Sequence, residues 1–299
     1  MATLYTQADS NIRKTWFLIT GFLIFIIGLG WLFSYVWDNP AILIFAVIFS
    51  FITSISSYWY SDKIVLAMTK AVLIKHDDNP GLYHIVENLC ITAGLPIPRI
   101  FIIEEQQINA FTTGRDAKHA VVVVTRGLLN KLEKIELEGV IAHELAHIGN
   151  RDMLLGTVIV ILVGIIAMLS NMFLRIGFRS RRGSSNNNKG GSALLVLTVL
   201  AAILAPIAAN LIKLAISRKR EFLADASGAL LTRYPEGLAK ALEKISQDSV
   251  PLRVASNSTN HLFISSPFKG KQARDWFVRM FSTHPPIEER IKALRDMRV

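Results

Sequence analysis

Residues 15–37, 41–60, 154–174 and 193–212 form four runs of at least twenty residues without a charged side chain or a histidine. An α-helix needs about twenty residues to cross roughly 30 Å of hydrocarbon, and core helices of water-soluble proteins rarely run so long uncharged. The runs therefore predict an integral membrane protein with four apolar helices. Pro40, with Asp38 and Asn39 beside it, makes the first pair a tight helical hairpin. Arg13 and Lys14 precede the first run as they would in a cleaved leader. Its apolar stretch is too long for a leader core, however, and Trp37-Asp38-Asn39-Pro40 offers no small-residue cleavage site, so the run reads as a retained anchor.

The formal net charge of +10 would suggest nucleic acid in a soluble protein. Here the basic residues flank the apolar runs: Arg13 and Lys14, then Arg175, Arg179, Arg181 and Arg182, then Lys213, Arg218, Lys219 and Arg220. Anionic lipid headgroups are the simpler partner, and no nucleic-acid-binding signature accompanies the charge. Ten basic residues (Arg13, Lys14, Lys63, Lys70, Lys75, Arg151, Lys213, Arg218, Lys219 and Arg220) lie beside the first hairpin and the segments around 143 and 221. Five lie in the stretch between the later runs (Arg175, Arg179, Arg181, Arg182 and Lys189). The positive-inside bias then expects the N-terminus and the non-membrane domain in the cytoplasm. The single cysteine, Cys90, sits in an apolar pattern with Leu89 and Ile91 and reads as a buried structural thiol.

Between the hairpins, residues 61–75 read as a helix leaving the membrane, and Pro80 opens another through Ala93. Strands are expected at 99–103, 108–112 and 118–125, a short helix at 128–132 and a longer one at 135–150. A Ser/Asn/Gly-rich stretch at 180–192 reads as a flexible connector between the two later runs. Helices follow to about Leu231, from Pro235 to Gln247 and over 287–297, whereas 250–270 carries little pattern. The organisation expected is an N-terminal hairpin (1–62), a first catalytic half (63–152), a second apolar hairpin (153–212) and a second catalytic half (213–299).

The chemistry is concentrated in His143-Glu144-Leu145-Ala146-His147. Residues four apart share a helix face, so both imidazoles reach one metal ion. Glu144 is turned about 100° away, beside the metal, where a general base acting on water belongs. A catalytic zinc needs a third protein ligand. Glu221 and Asp225 stand at i and i+4 on a predicted helix; spacing alone also allows a solvated face balancing Arg218 and Arg220.

With these motifs in view, the chain resembles the HtpX-type membrane metallopeptidases, relatives of the CaaX prenyl proteases, over nearly its whole length. The resemblance implies a gluzincin-like catalytic domain in a mainly helical α+β fold, holding one zinc ion. It implies that Glu221 is the third ligand and Asp225 the group orienting a ligand histidine. Asn109-Ala110-Phe111 resembles the family's substrate-side strand, with Thr112 where Ala is frequent, and His284-Pro285-Pro286 matches its C-terminal His-Pro, implying a histidine that stabilises the oxyanion. The implied activity is hydrolysis of internal peptide bonds in misfolded membrane proteins of a bacterial cell, a quality-control and stress-response role. A transporter would be expected to carry ionisable residues inside its spans, and the four runs have none. An inactive scaffold would not need the ligands, base and second acid together.

Overall fold

The computed structural model describes residues 4–183, 218–256, 258–268 and 285–297, with side chains of 4–8 and 171–183 excepted. The fourth apolar run, most of the connector and His284 lie outside the described residues. Ten helices are described. Helix α1 is Leu4–Val36, α2 Pro40–Trp59, α3 Ser61–Thr69, α4 Pro80–Ala93 and α5 Arg126–Lys131. Helix α6 is Lys134–Gly149, α7 Asp152–Gly183, α8 Arg218–Thr232, α9 Pro235–Gln247 and α10 Ile287–Arg295. Strands β1 (Val72–Leu73), β2 (Arg99–Ile103), β3 (Ala110–Thr113) and β4 (Val121–Thr125) form one sheet in the order β1-β2-β4-β3. β2 and β4 are parallel; both outer pairings are antiparallel.

Among the described residues, three helices are long and apolar enough to span a bilayer: Asp9–Val36, Pro40–Trp59 and Asp152–Ser170. The α1–α2 hairpin is turned by Asp38, whose φ is 48°, and α2 is started by Pro40 behind Asn39, whose side chain accepts from the Ala41 N–H. The two helices touch closely at Gly30, where a Cβ would stand 2.2 Å from that of Ala46. Their outer faces carry exposed Phe17, Ile24, Ile48, Ile52 and Ile55, as lipid-facing helices should. Trp16 stacks on Tyr58 at one end; toward the other, Trp31 stacks on Tyr35 and Trp37 meets Phe33, the placement that membrane interfaces favour. α7 differs: 61% of its apolar window is buried, against 22% for the other two. It packs against α1, α2, α3, α6 and β3, so it joins the hairpin to the domain outside.

The sheet is covered on both faces, and its period-two alternation divides the core. Ile100, Ile102, Val122, Val124 and Ala110 face the cluster shared by α4, α6 and α9. Ile103, Val121, Val123 and Phe111 face Val65 of α3, Val160 of α7 and Phe263. All five β4 residues are buried, which explains the continuous Val121–Val124 run.

The sequence reading needs three corrections here. The helix expected over 61–75 ends at Thr69, because Lys70 adopts a left-handed conformation (φ 53°), and Val72–Leu73 then pairs with β2. The strand expected from 118 begins at Val121; Asp116 caps a 3₁₀ turn at Ala117–His119 instead. Helix α7 runs past the apolar stretch to Gly183, taking the first residues of the expected connector.

Candidate metal centre

Helix α6 starts at a capping box in which Glu133 and Glu136 exchange bonds with each other's backbone N–H. That helix carries His143, Glu144 and His147 into the space between the sheet and α8. Helix α8 lies directly against them, since a Cβ on Gly228 would stand 2.9 Å from the His143 backbone nitrogen. Glycine at 228 therefore sets the depth at which Glu221 and Asp225, on the same helix, approach the histidines.

The two histidine rings stand edge to face, their Nε2 atoms 3.2 Å apart. Glu221 Oε1 is 3.9 Å from His147 Nε2, and one ligand atom from each of His143, His147 and Glu221 lies within 4.8 Å of the others. Each imidazole meets a carboxylate through its other nitrogen. His143 Nδ1 is 2.9 Å from Asp225 Oδ1, and His147 Nδ1 is 3.2 Å from Asp152 Oδ2. Such contacts fix the tautomer and leave Nε2 free to coordinate. Two imidazoles and a carboxylate, each imidazole backed by an acid, is a donor set that fits a catalytic zinc with one open position. A second group of potential donors, His76, His84 and Glu87, is at the surface with both histidines exposed.

Glu144 is buried beside the centre, and its Oε2 accepts a 3.1 Å hydrogen bond from Thr112 Oγ1 on β3. Burial pushes the Glu144 carboxyl up from its ordinary value, against the pull of both histidines. His147 is raised to about 9: burial opposes its charge, but the Asp152 hydrogen bond and the Glu221, Asp152 and Glu144 carboxylates outweigh it. Asp225 is held at about 2, because Arg290 and His143 overcome the opposing effect of burial.

Arg290, on α10, is fully buried and was not anticipated from sequence. Its Nε and Nη2 donate to the two Asp225 oxygens at 2.8 and 2.7 Å, and its Nη1 donates to the Ile264 carbonyl at 3.1 Å. The same Nη1 lies 3.7 Å from Glu221 Oε2, so one guanidinium serves both acids of α8. A trace existed in the sequence: Ile287, Arg290 and Leu294 share one face of a short amphipathic helix, which puts an arginine among core positions. Asp152, five residues past His147 and just beyond the α6 terminus, was also missed.

The segment at 250–268, which carries little pattern, is pinned over the centre by polar contacts. Gln107 Nε2 donates to the Val250 carbonyl at 2.7 Å, and His261 Nε2 to the Gly156 carbonyl at 3.1 Å. His261 and Leu262 join Thr112, His147, Arg220 and Glu221 around a narrow cleft of about 50 Å³. Asn109 is wholly buried, and its Nδ2 donates to Gln107 Oε1 and to the Ser265 carbonyl. Its side chain thus holds this segment in place. On β3, the Asn109 carbonyl accepts from Thr125 on β4, whereas the Ala110 carbonyl accepts from Ile264 on the other side. By strand alternation the backbone of Thr112, like that of Ala110, faces the outer edge.

A helix-borne His-Glu-x-x-His pair, a glutamate from a second helix and a buried acid beside them define a metal-dependent peptidase, and the helical hairpin makes it a membrane one. The profile of Peptidase family M48 matches residues 76–298, and the chain belongs to that family. It is 43% identical over 301 residues to a protease HtpX homolog of Thermoanaerobacter pseudethanolicus, covering 99% of this chain and 98% of that protein. It is 49% identical over 252 residues to a protease HtpX homolog of Desulforapulum autotrophicum, covering 84% and 79% respectively. The crystal structure of S. mikatae Ste24p is similar with a TM-score of 0.49 at 20% identity, over 98% of this chain and 67% of that one.

Proposed function

We propose that this chain is a zinc endopeptidase of the bacterial plasma membrane that cuts misfolded membrane proteins on the cytoplasmic side. The observation that carries the chemistry is the convergence of His143, His147 and Glu221, with a carboxylate behind each imidazole and Glu144 alongside. Zinc held by those three residues supplies a Lewis acid that polarises the scissile carbonyl and acidifies a water. Glu144 takes the proton of the attacking water and delivers it to the leaving amine. Its raised affinity for a proton, a consequence of burial, suits both halves of that task. Asp225 orients His143, and Arg290 keeps Asp225 ionised.

The outward-facing backbone of Thr112 at the edge of β3 offers hydrogen bonds to an extended peptide. Asn109 supports that strand from inside, and His284 completes the site as an oxyanion donor. Residues 63–152 and 213–299 act as the two halves of one catalytic domain, with 153–212 as a second apolar hairpin. The ten-to-five distribution of basic residues supports a cytoplasmic N-terminus and catalytic domain.

The decisive experiment separates ligand from base. Glu144→Gln should retain stoichiometric zinc and lose about two to four orders of magnitude in hydrolysis. Glu221→Ala should lose zinc and activity together, with partial rescue by excess zinc. A zinc-loaded, active Glu221→Ala protein would refute the ligand set.

A further inference from the structure

We propose that Asn11, on the first membrane helix, is a positioning residue for the metal ligand His147, acting through Asp152. Asn11 lies at the start of the apolar part of α1, yet only 2% of it is exposed. Its carboxamide reaches residues far along the chain. Nδ2 donates to Asp152 Oδ1 across 141 residues of sequence, and a longer 3.4 Å contact runs from the same nitrogen to the Asn150 carbonyl. Oδ1 accepts from Arg220 Nη1 at 3.5 Å. One turn further, the buried Thr15 hydroxyl donates back to the Asn11 carbonyl, leaving the carboxamide for these remote partners.

Asp152 therefore divides its two oxygens: Oδ2 to His147 Nδ1, and Oδ1 to Asn11. A carboxylate held at one oxygen can swing about its χ angles; held at both, it presents a fixed acceptor to the imidazole. Asn11 also contacts both the Asp152 carboxylate and the Arg220 guanidinium. The pairing of an amide donor with Asp152 matters in sign as well. A carboxylate at position 11 would face the Asp152 carboxylate and drive it away from His147. The consequence is that metal affinity depends on the N-terminal helix being docked, so that the anchor is part of the metal centre.

This inference rests on His147 being a zinc ligand, and the experiment separates the two. Full-length parent, Asn11→Ala, Asp152→Ala and the double variant are purified in mild detergent on a Glu144→Gln background. Zinc affinity is measured by competition with a chelator. Replacing a group that backs a metal ligand weakens binding about 10- to 100-fold. Asp152→Ala should fall in that range, and Asn11→Ala, one contact further out, should lose about 3- to 30-fold. The double variant should be no worse than Asp152→Ala alone, since Asn11 acts only through that carboxylate. Phe17→Ala, on the 78% exposed side of the same helix, should leave zinc affinity unchanged. Asn11→Leu, which keeps the packing volume, is measured beside Asn11→Ala and should show the same loss. Asn11→Asp should bind zinc more weakly than Asn11→Ala and no more weakly than Asp152→Ala. Zinc affinity equal to the parent in Asn11→Ala, or independent losses adding in the double variant, overturns the proposal. A parent chain that does not bind zinc through His147 overturns the metal-site reading itself.

Discussion

Arg290→Met tests how much of the catalytic domain depends on one buried ion pair. The substitution keeps most of the side-chain volume, so cavity formation contributes little. What it removes is two short hydrogen bonds to Asp225, one to the Ile264 carbonyl and a cation 3.7 Å from Glu221. Asp225 is then a buried carboxylate with the His143 ring beside it and no guanidinium to grip its oxygens. Breaking a buried pair by removing one partner costs about 3–5 kcal/mol, a large share of the about 5–15 kcal/mol that holds a typical domain together. Arg290→Lys keeps the charge but cannot grip both oxygens, and should cost less than Arg290→Met. Replacing the acid as well, in Arg290→Met with Asp225→Asn, removes the stranded charge and should recover part of the loss. Denaturant unfolding read by pulse proteolysis, on a Glu144→Gln background to prevent self-cleavage, gives the midpoints. An Arg290→Met midpoint equal to the parent's would refute the argument that Arg290 carries this cluster.

Thr112→Val deletes the hydrogen bond to Glu144 while keeping the shape of the side chain; about 0.5–1.5 kcal/mol is lost, so kcat should fall about two- to tenfold with zinc affinity unchanged. His284→Ala should lower turnover by about one to three orders of magnitude without releasing zinc; normal turnover would leave it only a residue near the start of α10. Asp248 accepts from the Ile108 and Val250 N–H groups and pairs with Lys131; though burial opposes its charge, these partners lower its pKa. Its contribution is therefore present above the unfolded-state value near 3.9 and fades as pH falls below it. Asp248→Asn should cost about 1–3 kcal/mol at pH 7, and its midpoint should converge with the parent's on acidification toward pH 3.

The legible parts of this chain are those where function or solvent imposes a local pattern. The spans announce themselves because hydrocarbon tolerates no charge, and His143-Glu144-x-x-His147 does so because two ligands must share one helix face. Pro80 and Ala93 bound α4 as expected, since proline at the first position and Gly94 just past the end are local signals. Local signals fail where a long-range contact decides. Nothing between Lys70 and Ile74 foretells that β2 will accept Val72–Leu73 as a neighbour. The described residues within 250–268 lack a long periodicity because side-chain bonds to Gln107, Asn109, Gly156 and Arg290 hold them, together with a 3₁₀ turn at Asn260–Leu262 and isolated backbone contacts such as Ile264 N–H to the Ala110 carbonyl. The helical spacing around Arg290 marks its face but not its partner Asp225, 65 residues away, and Asp152 reaches back to His147 around an inter-helix turn that helical spacing does not encode.

That distribution has a consequence for how the centre comes into being. His143 and His147 leave the ribosome on one side of the apolar stretch that begins with α7, and Glu221 and Asp225 on the other. The groups that hold the histidines come from still further apart: Asp152 opens α7 and is touched by Asn11 of α1, while Asp225 is gripped by Arg290 of α10. An α6 helix alone would present two imidazoles with neither backed by its acid and no third ligand. On the proposed ligand set, metal binding requires docking of α8 onto α6 at Gly228, and the acids behind the two imidazoles are held once α1 and α10 have packed against the domain. Because the bond network around the proposed centre includes the first and last described helices, the proposed base Glu144 would gain its metal only in a chain that has finished folding, which would keep the peptidase inert until its own fold is complete.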